Sequence, residues 1–267
     1  MVGGRFSNKL ILAVVCALLI VPFLDALQWG RRGFGRGRRS IESFTDPNEK
    51  AEFFFTRLLY GGDRGWGWRG GWATDYPDAE YHFMQGVRRL TLLDAGNSGK
   101  VFRPLDDELF DCPWVYAVEV GRWYLDEQEA ERLREYLLRG GFLMVDDFHG
   151  TYEWASFMES MRRVFPDRPV VEVETNDALL HVLYDLDQRI QVPGIQYVRS
   201  GVTYEEDGYE PHWRGILDDD GRVMVAINFN MDLGDAWEHA DTPQYPEKMT
   251  ALAYRFGINY IIYAMTH

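Results

Sequence analysis

The chain has 267 residues, a formal charge of −14 and 15 % aromatic residues. That length can bury a real core, and aromatic content at this level excludes a disordered polymer. The acidic surplus excludes a protein that grips nucleic acid by neutralising phosphates, and leaves neutral or cationic ligands as the better fit.

At the N-terminus Arg5 and Lys9 precede an apolar run from Leu10 to Leu24, broken only by Pro22. This reads as a secretory signal over residues 1–26, cleaved after Ala26, with an uncleaved anchor as the alternative. A basic Gly/Arg-rich linker follows over residues 27–50, with Arg31, Arg32, Arg36, Arg38 and Arg39 placed to touch a membrane or envelope complex. The remainder, 51–267, reads as one α/β domain. Once the leader is removed Cys112 is the only cysteine left, so no intrachain disulfide is expected.

Within the domain, Phe53 to Tyr60 reads as the first strand by its aromatic and β-branched content. Gly61 to Trp72 alternates glycine with tryptophan and reads as a loop. Pro77 and Asp78 open a helix that runs to about Leu92. Trp114 to Val120 is a second buried strand. Asp126 and Glu129 form a capping box before a helix striped by Leu133 and Leu137 and ended by Gly140. The apolar strand Phe142 to Val145 follows directly, so this stretch is one βαβ unit with parallel strands and a right-handed crossover. Tyr152 to Val164 is a helix stopped by Pro166. Val170 to Glu174 is a short strand and Asp177 to Tyr184 a short helix. Residues 188–215 read as irregular, with strands and an insertion around Glu205 to Pro211. The segments Ile216-Leu217 and Arg222 to Asn228 flank an Asp-Gly turn, a hairpin signal. Asn228 to Asp241 reads as a polar, aromatic loop, and Pro246 opens a last helix to about Ala264.

Strands alternating with helices predict a layered α/β domain with a mostly parallel sheet. In such sheets ligands bind at the carboxyl ends of the strands. The turn Asp146-Asp147-Phe148-His149-Gly150 stands at such an end. Asp146, Asp147 and His149 are the candidate catalytic residues. Neighbours leaving a strand point to opposite faces, so one aspartate is expected to bond to loop amides and the other to meet ligand. Asp235, Glu238 and His239 share a spacing that one helical turn brings together, and could hold a divalent cation or simply bond one another. Glu119 ends an apolar strand and either pairs with Arg122 or faces the site. Candidate ligand contacts are Glu119, Arg122, Trp66, Trp68, Asn230, Asp232 and Trp237. The tryptophan loop reads equally as a lid or stacking platform and as a loop folded onto the core. Cys112 reads as a small core residue, and His82, His181 and His212 stand alone. The Asp146–His149 turn and the Asn228–Asp241 segment are expected to meet at one sheet edge, with the 61–72 loop above.

These residues carry a family resemblance. Phe55-Thr-Arg-Leu-Leu-Tyr60, Gly140-Gly-Phe-Leu-Met-Val-Asp-Asp147, Tyr184-Asp-Leu-Asp187, Asp232-Leu-Gly-Asp-Ala-Trp237 and Gly257-Ile-Asn-Tyr-Ile-Ile-Tyr-Ala264 resemble the bacterial family called domain of unknown function 4159. The resemblance implies a three-layer flavodoxin-like sandwich, similar to class I glutamine amidotransferases and trehalose-utilisation-like proteins, and implies no reaction. Amidotransferases of that kind place a cysteine on a sharp strand-to-helix turn. The comparable turn here, Asp146 to Gly150, has none, which excludes thiolate chemistry at that position. The sequence therefore points first to an exported module that binds a small glycan or peptide ligand. The alternatives are a carboxylate–histidine or metal-assisted hydrolase and a scaffold in a membrane-associated complex.

Overall fold

The computed structural model describes residues 46, 48–62 and 71–267. The leader, most of the basic linker, and Trp66 and Trp68 lie outside the described residues. In chain order the elements are β1 (Phe53–Leu58), β2 (Gly61–Gly62), α1 (Asp78–Leu90), β3 (Ala95–Phe102), β4 (Trp114–Val118), β5 (Trp123–Tyr124), α2 (Glu127–Leu138) and β6 (Phe142–Asp146). Then come α3 (Gly150–Val164), β7 (Val171–Glu172), α4 (Tyr197–Ser200), β8 (His212–Leu217), β9 (Val223–Phe229), α5 (Leu233–Glu238) and α6 (Glu247–Thr266).

Seven strands form one mixed sheet in the order β3-β1-β4-β6-β9-β8-β7. The first five run parallel, and β8 and β7 are antiparallel additions. Side chains alternate across this sheet as strand geometry demands. Trp114, Tyr116, Val118, Phe142 and Met144 face one core with Phe83 of α1 and Ile258 and Tyr260 of α6. Val115, Ala117, Leu143 and Val145 face the other with Leu133 of α2 and Phe157 of α3. Helices thus cover both faces, in keeping with a three-layer α/β arrangement. Among the described residues no helix is long and apolar enough to cross a membrane.

The βαβ unit pairs Trp114 with Phe142 through Val118 with Asp146, in parallel. Its helix starts at the Asp126–Glu129 capping box. The Asp-Gly hairpin joins β8 to β9, with Asp218 accepting the amides of Asp220 and Arg222 at 3.0 and 2.9 Å. The segment read as Val170 to Glu174 is a strand over Val171–Glu172 at the sheet edge, and the Val173 amide adds a bond to Trp213 O at 2.8 Å. The short helix read at Asp177 to Tyr184 is a single 3₁₀ turn over Ala178–Leu180.

Two elements depart further from expectation. Strand β3 has the sequence Ala-Gly-Asn-Ser-Gly-Lys-Val-Phe, poor in β-formers. It forms because its neighbours supply what it lacks. A Cβ on Gly96 would collide with the ring of Phe54, so glycine there lets that ring pack. Glu49 accepts the amides of Asn97 and Ser98 at 2.7 and 2.9 Å and the Ser98 hydroxyl at 2.6 Å, which blunts the open edge. Burial pushes the Glu49 carboxyl up, but these donors outweigh it and hold the group down at about 2. The second departure is α5, which occupies part of the segment read as a loop.

The sheet order sets the position of the site. From β1 the chain passes outward to β3, then returns to the other side of β1 as β4. The order reverses between β1 and β4, and a crevice opens at the carboxyl ends of strands at such a reversal. The small β2–β5 ribbon, pairing Gly61 with Tyr124 and Gly62 with Trp123, leaves from this edge.

Candidate functional site

Three adjacent strands end in the same way. The residues just beyond β4, β6 and β9 are Glu119, Asp147 and Asn230, with φ of 54°, 52° and 61°. Left-handed backbone is costly for residues with a Cβ and is held only where the surroundings over-determine it. Here the three turns are stitched together. The Glu119 amide donates to Asp146 O, the Asp147 amide to Met231 O and the Asn230 amide to Phe148 O, each at 3.1 Å. The Asp146–His149 turn and the segment after β9 therefore meet at one edge. The other non-glycine residues with positive φ among the described residues are Asp75 and Glu206, with φ of 62° and 48°. Both lie beside the same crevice, next to acidic groups described below.

Strand alternation carries Asp146 toward α5. It is fully buried, and its Oδ2 accepts the amides of Leu233 at 2.7 Å and Gly234 at 3.0 Å and the Tyr116 hydroxyl at 3.1 Å. Burial, with the adjacent Asp147 charge, pushes this carboxyl up to about 8 against the pull of those donors. Asp146, read from sequence as a catalytic candidate, is an anchor for the first turn of α5. Asp146→Ala is expected to cost about 2–3 kcal/mol, because two buried amides lose their acceptor. Urea denaturation checks this, and a loss under 0.5 kcal/mol, roughly the scatter of a surface substitution, would refute the anchoring role.

Asp147 turns the other way. Its Oδ1 lies 3.2 Å from His149 Nε2, and Glu205 Oε1 lies 3.9 Å from the same nitrogen. His149 is 5 % exposed, and its Nδ1 is buried without a hydrogen-bond partner. Burial pulls the His149 pKa down, but the Asp147 hydrogen bond and the acidic neighbours outweigh it and raise the pKa. Glu205 comes from the insertion, which is tied down by Asp207 accepting the Thr151 amide and hydroxyl, both at 2.8 Å. Burial raises the Glu205 carboxyl as well.

Glu119 pairs with Arg122 at 3.0 Å, and Arg122 also reaches Glu153 at 3.4 Å. Burial and the charge of Asp147 nevertheless push the Glu119 carboxyl up to about 8. Glu153 in turn accepts the His149 amide at 2.7 Å. Asp75, between the tryptophan loop and α1, completes a second acidic group. Candidate ligand atoms of Asp75, Asp147 and Asp232 lie within 4.8 Å of one another, as do those of Asp147, His149 and Glu205. Burial first, and mutual repulsion second, raise both Asp75 and Asp232 well above the usual carboxylate range. Among the described residues no Lys or Arg forms an ion pair with Asp75, Asp147, Asp232 or Glu205.

The remaining sequence candidates fall into place differently. Asp235, Glu238 and His239 do come together within 4.8 Å. They bond one another and the backbone: Asp235 Oδ2 accepts the Ile195 amide at 2.6 Å, and His239 Nε2 lies 3.4 Å from Glu238. Asp232 accepts the Asp235 amide at 2.7 Å and so caps α5. Asn230, read as a ligand contact, uses both ends of its amide internally, accepting from Gly150 N at 2.9 Å and donating to Glu210 O at 2.7 Å. Trp237, read likewise, is fully buried, with its ring 4.3 Å from that of Phe83 and 5.5 Å from that of Tyr116. Its place is the core, and this corrects the sequence reading. Cys112 is a buried free cysteine beside the amino end of β4, as expected of a small core residue.

Sequence reasoning missed Asp75 and Glu205 as members of the site. Asp75 stood unremarked two residues before Pro77, which opens a helix, and Glu205 opened an insertion with no readable partner. Neither position carries a local signal, since their neighbours in space come from β6, β9 and α5.

Fold and site together define an α/β protein whose switch-point crevice is lined by buried carboxylates and one histidine. The family model described as Domain of unknown function (DUF4159) matches residues 54–265, and the chain belongs to that family. No curated protein matches the chain at a significant level.

Proposed function

We propose that the crevice holds a divalent cation on Asp147, His149 and Glu205 and serves a metal-assisted hydrolase of the cell envelope. The carrying observation is that these three ligand atoms converge within 4.8 Å, with Asp147 and His149 buried, and that among the described residues no Lys or Arg forms an ion pair with Asp147 or Glu205. Crowded, buried carboxylates are costly unless their charge is offset, and a metal ion is a compact group that offsets it. An imidazole with carboxylates suits Zn²⁺ or Mn²⁺. When bound, such an ion makes water nucleophilic near neutral pH. The chain's own part is then acid–base work and exclusion. Water adds to the substrate, the bond to the leaving group breaks, and the released proton passes to that group. Glu119, whose carboxyl is raised by burial and by the nearby Asp147 charge, is the acid–base candidate beside these ligands. A flavodoxin-like, amidotransferase-like origin of the fold agrees with this placement. In this reading the crevice was kept and the cysteine position lost.

A second reading, a binding module for a glycan or peptide fragment, draws on the exposed tyrosines of the rim. Tyr152 follows the His149 turn, and Tyr204 and Tyr209 flank Glu205 and Asp207 with their rings 4.7 Å apart. Such rings stack on sugar faces and cations. Export, by cleavage of the leader or by anchoring through residues 1–50, is part of both readings and rests on the sequence.

The test is metal content and melting of the full chain, wild type beside Asp147→Asn. The expected result is bound metal in the wild type that is absent from the variant, with a melting temperature that rises when Mn²⁺ is added to wild type only. A wild type with no metal, melting alike with every divalent ion, would reject the hydrolase reading and leave the binding module.

A further inference from the structure

Asp147 belongs to two convergent groups at once. One is Asp147, His149 and Glu205, and the other is Asp75, Asp147 and Asp232. We propose that Asp147 bridges two divalent cations, the second held by Asp75 and Asp232. This rests on the single-cation reading above and extends it to a two-metal centre.

Several independent features favour a second ion over a mere cluster of acids. Asp75 Oδ2 is shielded from solvent and has no hydrogen-bond partner. It is directed at the first turn of α5, where a Cβ on Gly234 would stand 2.5 Å from it and 2.8 Å from the Tyr116 hydroxyl. Glycine at 234 therefore lets this carboxylate close against the turn that carries Asp232. Gly194 plays the same part on the opposite side, where a Cβ would stand 2.7 Å from Asp232 Oδ2. On the His149 side, the imidazole is 5 % exposed with Nε2 facing both carboxylates and Nδ1 unpartnered.

The donor chemistry differs between the two halves. Two carboxylates and an imidazole suit Zn²⁺ or Mn²⁺, whereas three carboxylates suit Mg²⁺ or Mn²⁺. Mn²⁺ satisfies both, which makes it the probe of choice. Two ions sharing a carboxylate stand about 3.5–4 Å apart in known two-metal sites, close enough for magnetic coupling and for clamping two oxygens of one reacting group.

Asp75 also has a dedicated support. Arg57 of β1 donates to the carbonyls of Trp72 at 2.9 Å and Thr74 at 2.7 Å, which fixes the backbone just before Asp75. A buried arginine spent on positioning a loop agrees with a loop that must present a ligand accurately.

The experiment is Mn²⁺ titration of the metal-free full chain, followed by calorimetry and by electron paramagnetic resonance. Wild type is expected to bind two ions and to show an exchange-coupled spectrum. Asp75→Asn and Glu205→Gln are each expected to bind one ion with an uncoupled six-line spectrum, and Asp147→Asn none. Asp232→Asn, which keeps an acceptor for the Asp235 amide, is a second test of the Asp75 half and is expected to match Asp75→Asn. One ion in wild type, unchanged by Asp75→Asn and Asp232→Asn, would overturn the two-metal centre and leave the single-cation reading standing. No ion at all would overturn both.

Discussion

Arg57→Ala is expected to destabilise the protein by about 3–5 kcal/mol, the loss seen when one partner of a buried ion pair is removed. Arg57 lies fully buried on β1, paired through Nε with the equally buried Glu80 of α1. Its guanidinium also sits 5.1 Å from the centroid of the Tyr116 ring. Burial pulls this arginine's pKa down, but Glu80 outweighs it and keeps the group charged; burial likewise raises Glu80 against the pull of Arg57. Removing the cation strands a carboxylate between α1 and the sheet and leaves the Trp72 and Thr74 carbonyls without their donor. The double change Arg57→Met with Glu80→Leu should recover much of the loss, because no charge then remains buried. The double variant should still bind Mn²⁺ less well at the Asp75 half, since the loop has lost its tether. Urea denaturation at pH 7 measures the first effect. A single-variant loss under 1 kcal/mol, roughly the level of an exposed pair, would show that Arg57 and Glu80 are not the desolvated pair described.

The second large effect concerns pH. In chelator, the stability of the wild type is expected to fall as pH rises from about 4 to 8. Glu119 and Asp146 have folded-state values of about 8, against ordinary values of 4.5 and 3.8. Between those limits the folded state holds protons that the unfolded state has already released. Raising the pH through this window therefore favours unfolding, with no penalty below the unfolded values and the full penalty above the folded ones. Asp75, Asp232, Asp235 and Glu205 are shifted in the same direction, so their effects carry the same sign. The charge of Asp147 helps to raise each of these carboxyls. Asp147→Asn in chelator at pH 8 should therefore stabilise the protein by about 1–2 kcal/mol, a rise of about 2–8 °C in melting temperature. With Mn²⁺ present the order should reverse, because only the wild type gains binding energy. A variant that melts below wild type in chelator at pH 8 would mean that Asp147 stabilises the fold on its own account, against the cation argument.

These two effects show why the site was only half legible. Local signals were read directly where one segment carries its own pattern. The Asp126–Glu129 capping box, the apolar runs of β4 and β6 and the Asp-Gly turn need no distant partner, and the structure has them at those places. The same holds for the Asp146–Asp147 pair, where strand alternation alone assigns opposite faces. It could not say which aspartate would turn inward, because that depends on α5, a helix not foreseen. Six residues that include an aspartate and a glycine carry little helical propensity. The helix forms because Asp232 caps it and Asp146 receives its first amides.

By itself the sequence determined the class of fold and the edge at which a polar site would lie. Tertiary structure decided which residues make the site. Asp75, Glu119, Asp147, Glu205 and Asp232 are brought together by the reversal between β1 and β4 and by the backbone bonds that hold Glu119, Asp147 and Asn230 left-handed. Trp237 went to the core for the same reason, since α5 packs that face onto Phe83 and Tyr116. Periodicity and capping act over a few residues, whereas the repulsion among buried carboxylates acts only after the chain has closed around them.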